Sequence, residues 1–125
     1  MATISANKEL IRLRDLSSAF SRSAFIDVLN FNAINCSDFS SYHYPFTACP
    51  ISTINIGDSV QRIPAYFAYN KDSLTSVTIP NSATTIGDAA FYNCSGLTSV
   101  SIPNSVTYIG HSAFYNCSGL TSVTI

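Results

Sequence analysis

Apolar side chains recur through the second half of the chain at a fixed interval. From Leu97 to Gly119 the chain reads LTSVSIPNSVTYIGHSAFYNCSG, and from Leu74 to Gly96 it reads LTSVTIPNSATTIGDAAFYNCSG. The interval is 23 residues, and a third copy begins at Leu120 with LTSVTI. A more divergent copy, ISTINIGDSVQRIPAYFAYNKDS, starts at Ile51. Its Ile51, Ile54, Ile56, Val60 and Ile63 match Leu97, Val100, Ile102, Val106 and Ile109. Near-identity at an interval of about 20–29 residues predicts stacked structural repeats.

Within one copy the pattern changes character. Val100 and Ile102 alternate with Ser99 and Ser101, the period of a short strand with one buried face. Pro103 ends the strand because proline has no N–H for the ladder. Val106 and Ile109 are expected to turn inward, with Gly110 permitting a tight reversal. Ala113 and Phe114 fill the interior, and Cys117 closes the unit. One unit cannot bury its own apolar side. Stacking buries it, with strands about 4.8 Å apart along the axis.

The closing position is also traced backwards. Phe114-x-x-Cys117, Phe91-x-x-Cys94, Phe67-x-x-Asn70 and Phe46-x-x-Cys49 are placed in one frame, which gives Cys and Asn a common role: a small buried group bonded to turn backbone. The full pattern, L-x-x-V-x-I-P-x-S-V-x-x-I-G-x-x-A-F-x-x-C, resembles the BspA-like, bacterial surface-antigen type of leucine-rich repeat over Ile51 to Ile125. The resemblance implies a curved right-handed solenoid, a non-enzymatic binding role, and adhesin-type proteins of cell surfaces or secretions. The expected fold is a leucine-rich-repeat solenoid, β-rich, with short strands, irregular or 3-10 returns, and a short N-terminal helix.

The domain reading follows. Residues 51–125 are repeats, divided as 51–73, 74–96, 97–119 and a partial 120–125. Residues 28–50 are a degenerate repeat or an irregular cap, with Val28, Phe31 and Ala33 in the frame of Ile51, Ile54 and Ile56. Residues 1–27 are a helical cap or a linker. Leu10, Leu13, Leu16, Ala19 and Phe20 approximate one helical face, and Asn7 suits its N-cap. The C-terminal end carries no cap, so either the natural chain continues or this end self-associates.

Charge narrows the function. Charged residues make up 10% of the chain, against about 25% in a typical domain, and net charge is −1. From Leu74 onward Asp88 is the sole charged residue. Lys8, Arg12, Arg14 and Arg22 are interleaved with Glu9 and Asp15, which describes a solvated face and no nucleic-acid site. No apolar run reaches the roughly 18 residues of a membrane span. The first nine residues lack a secretory pattern.

Candidate chemistry is sparse. Cys36, Cys49, Cys94 and Cys117 form no C-x-x-C pair. Reduced buried thiols are expected, with a Cys36–Cys49 bridge left open. His111 aligns with Asp88 of the preceding copy, a surface ladder and no catalytic dyad. No catalytic residue, metal or cofactor is expected. Three N-x-S sequons, at Asn35, Asn93 and Asn116, partly follow from the repeat itself.

The expected binding surface is the exposed strand row: Thr75, Ser76, Thr78, Thr98, Ser99, Ser101, Thr121, Ser122 and Thr124. Its partner is a protein or a glycan; hydroxyls that simply suit an exposed strand are the plainer explanation. Tyr92 and Tyr115, with Tyr108 nearby, form a second stripe. The other functional readings are a structural spacer of a longer protein and an intracellular protein–protein scaffold, the latter consistent with free thiols and no export signal.

Overall fold

The computed structural model describes residues 2–6, 10–11, 26–32, 35–42 and 50–125. His43, Phe46 and Cys49 lie outside the described residues. So does most of the segment expected to be helical.

Among the described residues the chain forms short parallel strands: β1 (Ala2–Ala6), β2 (Leu10–Ile11), β3 (Ile26–Phe31), β4 (Asn35–Cys36), β5 (Thr53–Ile56), β6 (Arg62–Ile63), β7 (Ser76–Thr78), β8 (Thr85–Ile86), β9 (Ser99–Ser101), β10 (Tyr108–Ile109) and β11 (Ser122–Thr124). The long sheet runs β1-β3-β5-β7-β9-β11; a second runs β10-β8-β6, and β2 pairs with β4. From Ile51 onward each complete turn thus contributes one strand to the long row and a two-residue strand to the second, while β2 and β4 form their own pair. A turn-rich segment completes it.

Register follows the sequence period. Ser76 pairs with Ser99, and Ser122 with Ser99. Val77 and Val100 point inward between exposed hydroxyl residues, as alternation requires. Columns of equivalent residues fill the core: Ile51, Leu74 and Leu97; Ile54, Val77 and Val100; Ile56, Ile79 and Ile102; Ile63 and Ile86. Ile109 and Val123 hold the same positions in the last turn and are 44% and 49% exposed, against 0% for Ile86 and 4% for Val100.

The turn-rich third side has its own ladder. Tyr66 N, Ala68 N and Asn70 N donate to Asp88 O, Ala90 O and Tyr92 O at 2.9, 2.6 and 2.8 Å. Ala89 N, Phe91 N and Asn93 N repeat these bonds to His111 O, Ala113 O and Tyr115 O. Two residues in each turn are left-handed there: Tyr66 and Asn70, Ala89 and Asn93, Ser112 and Asn116, all with φ between 53° and 59°. Gly110, expected to supply that freedom, does not: no glycine has positive φ. Its role is close approach, since a Cβ would meet the backbone nitrogen of Asp88.

Three expectations are corrected. No helix forms among the described residues; Leu10, assigned to a helical face, lies with Ile11 in a strand paired with Asn35 and Cys36. Pairing with a neighbouring strand edge satisfies backbone groups that a short helix would have to satisfy alone, and tertiary pairing overrides local helix propensity. The frame before Ile51 is shifted by two: Leu29 pairs with Ile54 and Phe31 with Ile56, an offset of 25. Finally, Asn70 is not equivalent to Cys94. Asn93 Nδ2 donates to Asn70 Oδ1 across 23 residues, so Lys71 is the residue at the position of Cys94. The shift arises because the aromatic of the core moves by one residue, from Phe67 in one turn to Phe91 in the next.

Candidate binding surfaces

Over β7, β9 and β11 the strand row is an uncharged, hydroxyl-lined face. Thr75, Ser76, Thr78, Thr98, Ser99, Ser101, Thr121, Ser122 and Thr124 are all exposed. They are not alike. Thr75 Oγ1 donates to Ser52 O and Thr121 Oγ1 to Thr98 O, both at 3.2 Å, so these hydroxyls stitch one turn to the turn before. Ser76, Thr78, Ser99, Ser101, Ser122 and Thr124 lie on the strands themselves, on the side opposite the buried valines.

The second stripe is larger than expected, and its membership differs. Tyr69, Tyr92 and Tyr115 stack at 5.0 and 4.9 Å with interplanar angles of 23° and 18°. Tyr66 leans on Tyr69 at 5.0 Å. Tyr108 is not part of this stack; it sits on β10, paired with Thr85. Tyr69 was legible at the 23-residue interval before Tyr92, hidden only by the slipped phenylalanine frame.

Beside the tyrosines runs an asparagine ladder. Asn93 Nδ2 donates to Asn70 Oδ1, and Asn116 Nδ2 to Asn93 Oδ1, each at 2.8 Å. Asparagine is well suited here, because it tolerates the left-handed conformation better than most residues and carries both a donor and an acceptor. Two of the three sequons therefore have their amide nitrogens engaged within the fold.

The thiols form a buried column with Lys71. Cys94 Sγ donates to Ala68 O at 3.2 Å and Cys117 Sγ to Phe91 O at 3.1 Å. The neighbouring Cys117 thiol, with burial, pushes Cys94 well above the ordinary thiol range, and the neighbouring Cys94 thiol holds Cys117 down to about 7. Burial pushes Cys36 up to about 12. Cys36, Cys94 and Cys117 are free thiols. Among the described residues no three His, Cys, Asp or Glu side chains converge on a point that would hold a metal.

His111 and Asp88 are neighbours, but through the backbone: His111 N donates to Asp88 Oδ1 at 2.9 Å. A similar clasp two turns earlier joins Ala65 N to Asp38 Oδ1 at 2.9 Å, and Arg62 bonds the same carboxylate. In the turn between, Ala65 holds this position and has no carboxylate. No helix among the described residues is long and apolar enough to cross a membrane.

Parallel strands at a 23-residue interval, apolar columns and side-chain ladders together define a leucine-rich-repeat solenoid. The chain belongs to the BspA-type leucine-rich repeat family: the family model described as "BspA type Leucine rich repeat region (6 copies)" matches residues 40–125. Among solved structures it is similar to a leucine-rich cell surface protein from Faecalibacterium prausnitzii A2-165, with a TM-score of 0.75 and 26% identity. The alignment covers 98% of this chain and 31% of that one, so the chain spans about a third of its neighbour's length. No curated protein matches the chain.

Proposed function

We propose that this chain is a non-enzymatic recognition module of a cell-surface or secreted protein, and that it holds a protein or glycan ligand against its strand row. The observation that carries this reading is the continuity of the hydroxyl face. Parallel strands present Ser76, Thr78, Ser99, Ser101, Ser122 and Thr124 in register, with no charged side chain among them. Such a face offers donors and acceptors at a fixed spacing and loses little side-chain entropy on binding, because serine and threonine have few rotamers to lose. The likeness to a cell-surface protein supports the compartment.

The test is a double charge insertion, Thr98→Lys with Ser101→Lys, screened against a printed glycan array and immobilised extracellular-matrix proteins. Both positions are exposed, so the variant is expected to keep its melting temperature and lose its ligand. Binding that survives both lysines sinks the strand-face assignment. A chain that captures nothing in either screen is a spacer.

A further inference from the structure

A groove of about 300 Å³ runs along the third side of the solenoid, built from turn segments and separate from the strand row. Tyr69 and Tyr92 flank it, with Asp88 and His111 also on its rim. Ala89 and Ser112, small and largely covered, form its floor.

One position decides its shape. Tyr66, Ala89 and Ser112 are equivalent residues of successive turns and share the left-handed backbone, with φ of 57°, 53° and 58°. The first turn fills that position with a tyrosine ring, leaning on Tyr69. The next two fill it with a methyl and a hydroxymethyl group. The groove is therefore stopped at Tyr66 and open over Ala89 and Ser112.

The tyrosine spacing constrains the occupant. The rings of Tyr69, Tyr92 and Tyr115 stack at 5.0 and 4.9 Å, so they cover one another's faces and present edges and phenol hydroxyls. Tyr69 and Tyr92 line the groove and Tyr115 continues the stack beyond it, so a polymer that follows all three rings must advance by the same step. An extended peptide advances about 3.3 Å per residue, so it returns to phase only at every second ring, and a polyproline helix at about 3.1 Å per residue falls short even there. A pyranose ring in an extended β-linked chain is about one such step long. Its equatorial hydroxyls match phenols, a carboxylate and an imidazole, all of which accept or donate hydrogen bonds. Asp88 is the sole charged residue from Leu74 onward, which disfavours an anionic polymer.

We propose that this groove binds a neutral, extended β-linked oligosaccharide, with one sugar ring per turn of the solenoid. The site is independent of the strand row: it stands if the proposed strand-face ligand is never found.

The experiment is titration calorimetry of the chain with cellohexaose and chitohexaose, with α-linked maltohexaose and decaproline as controls. At least one β-linked hexamer binds, and the controls do not. Ala89→Tyr and Ser112→Tyr fill the groove as Tyr66 already does on the same backbone, and each weakens binding about tenfold or more. Asp88→Asn keeps the acceptor for His111 N and removes the charge, and is expected to weaken binding severalfold; it keeps the test decisive if a filled groove does not fold. The Thr98→Lys, Ser101→Lys variant binds the sugar as the parent does. The proposal is overturned if neither β-linked hexamer binds, if decaproline binds as well, if the groove variants leave affinity unchanged, or if the strand-row lysines abolish it.

Discussion

The side-chain nitrogen of Asn93 donates to the side-chain oxygen of Asn70 at 2.8 Å, across the gap between two turns. Asn93 also accepts from Asn116 and sits at φ 59°. One residue thus joins three turns and carries a backbone conformation that few others accept. Asn93→Ala is expected to cost about 2–3 kcal/mol, about 1 for the left-handed alanine and about 1 for each lost bond. Asn93→Gly relieves the conformational part and should cost less than the alanine variant. Urea denaturation of the two variants checks the order; an alanine variant as stable as the glycine variant would show that conformation contributes nothing.

Phe91 is fully buried, stacked on Phe114 at 5.3 Å and edge-on to Phe67 at 6.5 Å. Phe91→Ala should remove about 3–5 kcal/mol by lost burial and a residual cavity. Tyr108 is 56% exposed, and Tyr108→Ala should stay within about 0.5 kcal/mol of the parent. Thermal melts of the pair distinguish a core ring from a surface ring.

Ser82 and Ser105 are the same residue of successive turns, yet their hydroxyls differ. Ser82 Oγ donates to Val60 O at 2.6 Å, while Ser105 Oγ is buried without a partner. Ser82→Ala is expected to cost about 1 kcal/mol. Ser105→Ala removes an unsatisfied polar atom and should be neutral or slightly stabilising. Equal losses at both sites would contradict the bonding pattern.

The paired thiols predict an unequal pH response. The neighbouring Cys94 thiol favours the thiolate of Cys117, whose pKa is lowered to about 7. A lowered value means the reactive anion is already present near neutrality, so methylthiolation of Cys117 should rise through that range, where an ordinary thiol still lags. Cys94→Ala removes that neighbour and should move the midpoint upward. Cys36, pushed up by burial, should stay unmodified at neutral pH. Peptide mass mapping after a brief methyl methanethiosulfonate pulse reads all three sites. A Cys117 midpoint unmoved by Cys94→Ala would show that the thiol pair is not coupled.

Much of the fold was legible because the strand period and the repeat interval reinforce one another. Val100 and Ile102 could face inward only if Ser99 and Ser101 faced out, and the same alternation recurs at Val77 and Ile79. The third side was harder to read. Its conformation depends on paired left-handed residues, and at three of those six positions the residue is Tyr66, Ala89 or Ser112, none of which advertises positive φ. The slipped frame had the same origin: Phe67 and Phe91 look equivalent by type, but bonding aligns Tyr69 with Tyr92 and Asn70 with Asn93. Before Ile51 the spacing widens to 25, and a fixed interval of 23 misplaces Phe31 by two residues. Of the candidate surfaces, the hydroxyl row could be read from alternation alone. The tyrosine groove could not, since it needs both the corrected frame and the backbone that sets Ala89 beneath the rings.

Bonds between turns recur at the same positions from one turn to the next: asparagine to asparagine, Thr107 Oγ1 to Thr84 O as Thr84 Oγ1 to Gln61 O, and Ala89 N to His111 O as Tyr66 N to Asp88 O. An interface made this way is indifferent to how many units it joins. Duplicating or deleting one 23-residue segment within the array would leave each donor facing the acceptor it would have met anyway. In-frame recombination between near-identical copies would then change the length of the array without opening a gap in its bonding, so length can diversify faster than the unit that is copied.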